Sequence, residues 1–458
     1  MTKALSTLVS DRIESANKDS RTFGGGLEAK ISAGARPIKG ITAFITKSRR
    51  DRILRRFWER ENSNPHVAHL IYVLAVNEDS PRQKGLITAE GAIDSIERYG
   101  QEAVVELMNH YTRISKVCGG GGLKGMAYCG EQEVFSLRPS DFWATSIGDL
   151  DGDIQSLRRM AYLYGPEAAH GMDLSSGNYY AVATKMALAL GNLVKSNGKH
   201  PMGYVADLAK GINLYRRGVL GEAFFVKDPL LQVFRNEFPP LKVKDLEGIH
   251  IMVTDFKTGE MIVIDKNGPY STMGIDAAFD AAISFPFAFN HHKADGRMLV
   301  DGGLGITPLG LAFSQGADFV YATFLNLFIP KKEEVDGTYA QGKIRLANRM
   351  YEIWQRDATA YAIRQNTGKS FKFILRNRDP NGRLLLSADD FSEYDTFELG
   401  KGGKDQIKDL PPRGKAMANR VTDKLDPKYK PEEEDYNPKI FLMRWENANR
   451  YGPQLALR

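Results

Sequence analysis

The chain has 458 residues, of which 42% are hydrophobic and 26% charged, with a formal net charge of +6. It is too long for one small domain and long enough for a sizeable core, and its composition is that of an ordinary globular chain. The modest charge suits contact with acidic surfaces without implying nucleic acid, and the two cysteines, Cys118 and Cys129, make neither a disulfide framework nor a zinc pattern.

Residues 1–110 read as a mixed N-terminal extension. Gly24-Gly25-Gly26 is a break. Lys47 to Arg60 is a basic helix candidate, rich in arginine, with Ile53, Leu54, Phe57 and Trp58 as an apolar stripe. It is either a solvated face or an interfacial helix meeting anionic head groups. His69 to Val76 predicts a compact apolar strand, and Ala89 to Tyr111 a long helix. From about Ile114 the pattern becomes α/β. Ile249 to Asp255 and Met261 to Asp265 predict a hairpin turning at Thr258-Gly259. Ile275 to Ser284 predicts an alanine-rich helix, and Phe319 to Leu325 a buried strand. Strands separated by helical patterns argue for a largely parallel sheet under helices. Residues 395–440, with Gly, Lys and Pro concentrated in 400–415, read as loops or a loosely packed tail. Ile440 to Trp445 is apolar enough to dock back onto the core.

Two glycine-rich turns carry the chemistry. Gly119-Gly120-Gly121-Gly122-Leu123-Lys124-Gly125 follows a short apolar run. Such a turn can aim bare backbone N–H groups at a developing oxyanion. A phosphate-cradling loop is the alternative, but Lys124 is followed by Gly125 and Met126, not by the Ser or Thr of a Walker loop. A dinucleotide loop wants an acid some twenty residues on; Asp141 falls near that spacing, but before an apolar segment instead of after one. Asp301-Gly302-Gly303 ends the apolar run Met298 to Val300, where an aspartate on a tight turn can serve as a base. Between the turns lie two candidate nucleophiles, Ser146 in Ala144-Thr145-Ser146-Ile147-Gly148 and Ser175 in Asp173-Leu174-Ser175-Ser176-Gly177.

Several segments in order resemble the patatin-like phospholipases. Gly119 to Gly130 resembles that family's oxyanion turn and following helix. Ile249 to Ile264 resembles its Thr-Asp hairpin. Asp276 to Phe289 resembles its alanine-rich helix leading into Ser-x-Pro. Arg297 to Leu325 resembles its Asp-Gly-Gly turn and the Gly-Ala-Asp strand after it. The resemblance covers roughly 114–330 and implies a three-layer α/β/α fold with a mostly parallel central sheet. A mixed extension (1–110) would precede a catalytic domain (111–330), and a charged, helical and loop-rich region (331–458) would pack on the core. It also implies a lipid acyl hydrolase, a phospholipase A-type esterase with a Ser–Asp dyad. Asp301 would be the base on the Gly302-Gly303 turn. Gly120, Gly121, Gly122, Lys124 and Gly125 would form the oxyanion hole, and no metal or cofactor would be needed.

Neither serine has the family's complete Gly-x-Ser-x-Gly elbow. Ser146 is favoured on register, because Phe142-Trp143 precede it as the elbow strand requires and alanine is a small change from the first glycine. Against it, Asp149, Asp151 and Asp153 follow at once, and burying three carboxylates is costly. The helix N-terminus would offset part of that cost. Their calcium-like spacing lacks the closing Glu of an EF-hand loop, so capping or a solvated face is expected. Ser175 precedes an apolar helix, Tyr179 to Leu190, but Asp173 stands where the first glycine packs. If neither serves, the chain is an inactive patatin-like scaffold binding lipid or a partner; a nucleotide-binding α/β protein is the third reading. His291-His292 is expected as a surface pair. The expected partner is a phospholipid or other acyl lipid, with contact at a membrane surface and no nucleic acid. No apolar stretch approaches the ~20 residues that span a bilayer, and Met1 to Asp11 show no secretory signal. A cytoplasmic or peripheral-membrane location is therefore expected, with signal-independent export left open.

Overall fold

The structure, a computed structural model, describes residues 64–77, 87–196, 227–286, 288–304, 308–325, 359, 382–389, 391 and 403–429. The basic segment Lys47 to Arg60, the Gly24–Gly26 break and Ile440 to Trp445 lie outside the described residues. Three helices open the described chain: α1 (Pro65–Asn77), α2 (Ala89–Tyr99) and α3 (Gln101–Tyr111). Then come β1 (Ile114–Cys118), a 3-10 turn (Gly122–Met126), α4 (Ala127–Val134), β2 (Asp141–Ala144), α5 (Gly148–Tyr164), α6 (Ser176–Ser196) and α7 (Asp228–Glu237). The hairpin β3 (Ile249–Asp255) and β4 (Met261–Asp265) precedes α8 (Ile275–Ala282), β5 (His292–Ala294) and β6 (Arg297–Asp301). The last elements are α9 (Leu309–Ser314), β7 (Phe319–Phe324), β8 (Leu384–Ala388) and α10 (Gly403–Asp423).

Eight strands form one sheet in the order β5-β6-β3-β2-β1-β7-β8, with β4 paired to β3. Five of them, β3, β2, β1, β7 and β8, run parallel to one another. Parallel strands buried on both faces read as short apolar runs, and β1, β2, β7 and β8 are buried at every position. Side chains alternate across the sheet. Phe142, Ala144, Ile249, Ile251 and Val253 enter the core beneath α4 to α8 and α10. Trp143, Met252, Val320 and Ala322 enter the opposite core with α9. Helices α1 to α3 bury their apolar faces against Ile114, Phe319, Tyr321 and Leu385. The fold is a three-layer α/β/α sandwich, and its sheet takes in Leu384–Ala388, well beyond residue 330.

Three sequence expectations are corrected. His69 to Val76 lies in helix α1, not a strand. Val67, Leu70, Ile71 and Leu74 are all buried, the i, i+3, i+4, i+7 spacing of a helix, while Tyr72 between them is 47% exposed. A short apolar run cannot separate the two alternatives by itself. The single helix expected over 89–111 is two helices, because Gly100 takes φ +59° and its N–H returns to the Ile96 carbonyl. Residues 403–423 form helix α10 in place of the expected loops, with Pro411 and Pro412 inside it. Helix α10 crosses α4 at two glycines. A Cβ built on Gly130 would lie 1.7 Å from the Pro411 carbonyl oxygen, and one on Gly414 would lie 1.8 Å from that of Ala127. Among the described residues no helix is long and apolar enough to cross a membrane.

Candidate active site

The sheet itself brings Ser146 and Asp301 together. Along β3, β2 pairs from Ile249 to Ile251, where Ala144 ends the ladder. β6 pairs from Val253 to Asp255, with Asp301 opposite Val253. β4 occupies the other edge of β3 across both stretches, so β2 and β6 must share one edge. β6 is antiparallel to β3 and β2 is parallel, so their C-terminal ends point at each other across Met252. Ser146 follows the tip of one and Asp301 ends the other.

Ser146 sits on the turn between β2 and α5 with φ +54°, one of three described non-glycine residues with positive φ. A left-handed serine costs backbone energy and marks a strained strand-to-helix turn. The turn is fixed on both sides. The Thr145 N–H donates to the Cys118 carbonyl at 3.2 Å, and the Gly148 N–H to the Thr145 carbonyl at 3.0 Å. Gly148 is required, because a Cβ there would lie 2.4 Å from the Cys118 carbonyl oxygen.

The glycine turn packs directly on this tip. A Cβ on Gly120 would lie 2.8 Å from the Ser146 Cβ, and one on Gly125 would lie 2.9 Å from Ile147 Cγ2. Gly122 takes φ +55°. The Gly119 N–H donates to the Thr323 carbonyl at 3.0 Å, and the Tyr128 hydroxyl donates to the Gly119 carbonyl at 2.7 Å. Among the described residues, no turn or loop backbone hydrogen bond is donated by the Gly121 or Gly122 amide. Lys124 is wholly buried and absent from the pocket wall, so it supports the turn from within instead of facing a ligand.

Asp301 is 1% exposed. The Gly303 N–H donates to its Oδ1 at 2.8 Å, and its own N–H donates to the Ser284 carbonyl at 3.1 Å. Its Oδ2 is buried without a hydrogen-bond partner among the described residues. Burial pushes its pKa up to about 7, against the Gly303 N–H and then the Ser146 hydroxyl, which both hold it down. The Ser146 hydroxyl is thus one of the two groups acting on the carboxyl, and both side chains reach the same cavity. Gly302 is held to glycine, because a Cβ there would lie 2.0 Å from the Met252 carbonyl oxygen.

Both residues line one cavity of about 70 Å³, along with Gly121, Gly122 and Gly125. The rest of the wall is apolar: Tyr179, Ala183, Met186 and Ala187 from α6, Leu230 from α7, and Phe279, Ile283, Phe285 and Phe289 from α8 and the turn after it. Phe279 is backed by Phe234 and Phe238, with ring centroids 4.6 Å and then 4.2 Å apart.

Ser175 is elsewhere. It is exposed, and its Oγ accepts the Asn178 N–H at 3.2 Å, so it caps the N-terminus of α6. It does not line the cavity. The expectation for Asp149, Asp151 and Asp153 is also corrected: all three are wholly buried, neither solvated nor exposed caps. Asp151 is paired with Lys116, Nζ to Oδ2 2.8 Å, and accepts from Gln132 at 2.6 Å and from Cys118 Sγ at 3.1 Å. Lys116 also meets Glu131 at 3.2 Å, and Glu131 accepts from Thr323. This network ties β1, α4, α5 and β7 together beneath the glycine turn. Its sequence signal was Lys116 within an otherwise small and apolar strand. Asp149 and Asp153 have no hydrogen-bond partner among the described residues. Among those residues, no group of three or more His, Cys, Asp or Glu side chains is arranged to hold a metal. Asp141, at the sheet's other end, is bound by Arg113 at 2.9 Å and Ser140 at 2.7 Å. His292, expected at the surface, is half-buried and holds Asp280 at 2.6 Å.

No protein-family model matches the chain, and no curated protein sequence matches it. Among solved structures the chain is similar to VipD from Legionella pneumophila, at 13% identity and a TM-score of 0.32 over 68% of this chain and 67% of that one. That likeness is too distant to carry residue roles from one chain to the other.

Proposed function

We propose that the protein is a patatin-like lipid acyl hydrolase, an esterase of phospholipase A type acting through Ser146 and Asp301. The observation that carries this reading is that a strained serine, a buried carboxylate and a row of glycine amides line one apolar cavity. The fatty-acyl chain lies against the α6, α7 and α8 wall, where burial of each CH₂ contributes about 0.8 kcal/mol. Ser146 Oγ attacks the ester carbonyl, and Asp301 Oδ2 takes the hydroxyl proton. With its pKa near 7, Asp301 is about half ionised at neutral pH and a better base than an exposed aspartate. The Gly121 and Gly122 N–H groups receive the oxyanion, each such donor contributing roughly 3–4 kcal/mol to the transition state. The alcohol or lysolipid leaves with the proton from Asp301. Water then attacks the acyl-enzyme with Asp301 again as base. Collapse of that intermediate breaks the acyl–Oγ bond, releasing the fatty acid as Asp301 returns the proton to Ser146 Oγ.

Ser146→Ala and Ser175→Ala, assayed separately on a short-chain p-nitrophenyl ester, test the assignment. The first should abolish hydrolysis and the second should leave it intact. Hydrolysis surviving in Ser146→Ala would reject Ser146 as the nucleophile, and hydrolysis surviving in both variants would reject the serine mechanism.

A further inference from the structure

Behind Asp301 lies a charged cluster that the reaction scheme does not use. Lys227 precedes α7 and is 8% exposed. Its Nζ donates to Ser284 Oγ at 2.7 Å and to the Asp280 main-chain carbonyl at 3.2 Å, and it forms a close ion pair with Asp280 Oδ1. Ser284 is wholly buried, and its hydroxyl in turn donates to the Asp280 carbonyl at 2.6 Å. On the other side of Asp280, His292 Nδ1 meets Oδ2 at 2.6 Å, and His292 pairs with Leu299 in the strand that ends at Asp301.

This cluster converges on one turn, Ser284-Phe285-Pro286. The main-chain carbonyl of Ser284 accepts the Asp301 N–H, while Ile283, Phe285 and Phe289 around the turn form one wall of the cavity. Lys227 thus grips, through the Ser284 hydroxyl, the same residue whose carbonyl fixes the backbone of Asp301. A buried lysine is costly to desolvate. Serving α7 packing alone, an apolar side chain would do as well; the donors on Nζ all go to the turn and to α8.

Building on the hydrolase reading, we propose that Lys227 is a positioning residue for the base: through Ser284 it locks the turn that sets the orientation of Asp301 and keeps water from it. The groups acting on the Asp301 carboxyl are the Ser146 hydroxyl and the Gly303 N–H, with no charged side chain among them. Lys227 therefore works through the turn and not by direct attraction. Around Lys227 itself the titratable groups are Asp280, Asp228 and His291, with His292 on the far side of Asp280.

The test compares the wild type, Lys227→Met and Ser284→Ala, the last removing only the gripped hydroxyl in case the buried methionine prevents folding. On a p-nitrophenyl ester, both variants should lower kcat at least ~10-fold with little change in KM, as expected of a misplaced catalytic group. The pH midpoint of kcat/KM should move down by about one unit as water reaches Asp301. Unchanged kcat and pH midpoint in a folded Lys227→Met or Ser284→Ala protein would overturn the proposal. A second readout does not need hydrolysis: the gain in Tm from Asp301→Asn, measured across pH 4–8 in each background. In the wild type that gain should grow up to about pH 7; in the two variants it should level off at lower pH. The same curve in all three backgrounds would overturn the grip of Lys227 on Asp301. Loss of the hydrolase reading alone would show instead as wild-type hydrolysis indifferent to Ser146→Ala.

Discussion

Gly120 and Ser146 touch: a Cβ on the glycine would stand 2.8 Å from the Cβ of the serine, closer than real Cβ atoms pack. The glycine turn and the Ser146 tip are therefore set against each other by the absence of one side chain. Gly120→Ala must push them apart. The expected result is a fall in kcat/KM of about 10²-fold, because misplacement of this size removes both attack geometry and amide donation. Overpacking should also cost about 1–3 kcal/mol of stability. Ester kinetics together with thermal denaturation check both, and an alanine variant with wild-type kinetics contradicts the contact.

The pH dependence follows from Asp301. Its carboxyl titrates near 7 in the folded chain, far above its ordinary value of 3.8. Only the ionised form can accept the serine proton, so kcat/KM should rise with pH to a plateau, with a midpoint near 7. The same shift works against the fold. The native state holds a proton that the unfolded state has lost, so stability falls as pH rises between about 4 and 7. Asp301→Asn should therefore abolish hydrolysis while raising stability at pH 7.5 by about 4 kcal/mol, a roughly three-unit shift at 1.36 kcal/mol each. A variant that is inactive and less stable would show that the carboxylate is not held in a desolvated site.

How much of this was legible in the chain depends on which signals are local. The Asp301 turn, the β3–β4 hairpin and helix α8 follow from short motifs whose residues meet one another. The convergence of β2 and β6 along one edge of β3 depends on register, which no short motif encodes. Helix α1 was misread because its apolar residues run nearly without interruption, hiding the period. Helix α10 was misread because glycine and paired prolines usually break helices. Here the glycine at 414 is kept for close approach to α4, a contact nearly three hundred residues away in sequence. The buried carboxylates of α5 were expected in water because charges rarely go inside unpaired.

Asp149 and Asp153 are the least comfortable residues of α5. Burial pushes both well above the ordinary carboxylate range, and the charge of Asp149 adds to the effect on Asp153. Both hold a proton more tightly in the fold than in the unfolded chain, so their contribution to stability declines as pH rises above the unfolded value near 4. Asp149→Asn and Asp153→Asn should each raise stability at pH 7 by at least ~1 kcal/mol and flatten its pH dependence. Urea denaturation at pH 5 and pH 7.5 measures this, and variants that lose stability at the higher pH contradict it.

The crossing of α10 and α4 has no room for a side chain. Gly130→Ala and Gly414→Ala would each place a methyl group within 2 Å of a main-chain oxygen. Backbone cannot yield as a flexible side chain does, so each should cost more than about 3 kcal/mol and separate the helices. Because α4 continues directly from the glycine turn, esterase activity should fall along with the melting temperature. Wild-type melting in either variant would contradict the crossing.

The most direct test of the central claim is labelling by a fluorophosphonate followed by peptide mass mapping. A serine reacts only when its hydroxyl is activated beside a base and an oxyanion site. The account predicts phosphonylation at Ser146 alone, abolished in Asp301→Asn and untouched in Ser175→Ala. Labelling at Ser175, or no labelling at all of the folded wild-type chain, would contradict it.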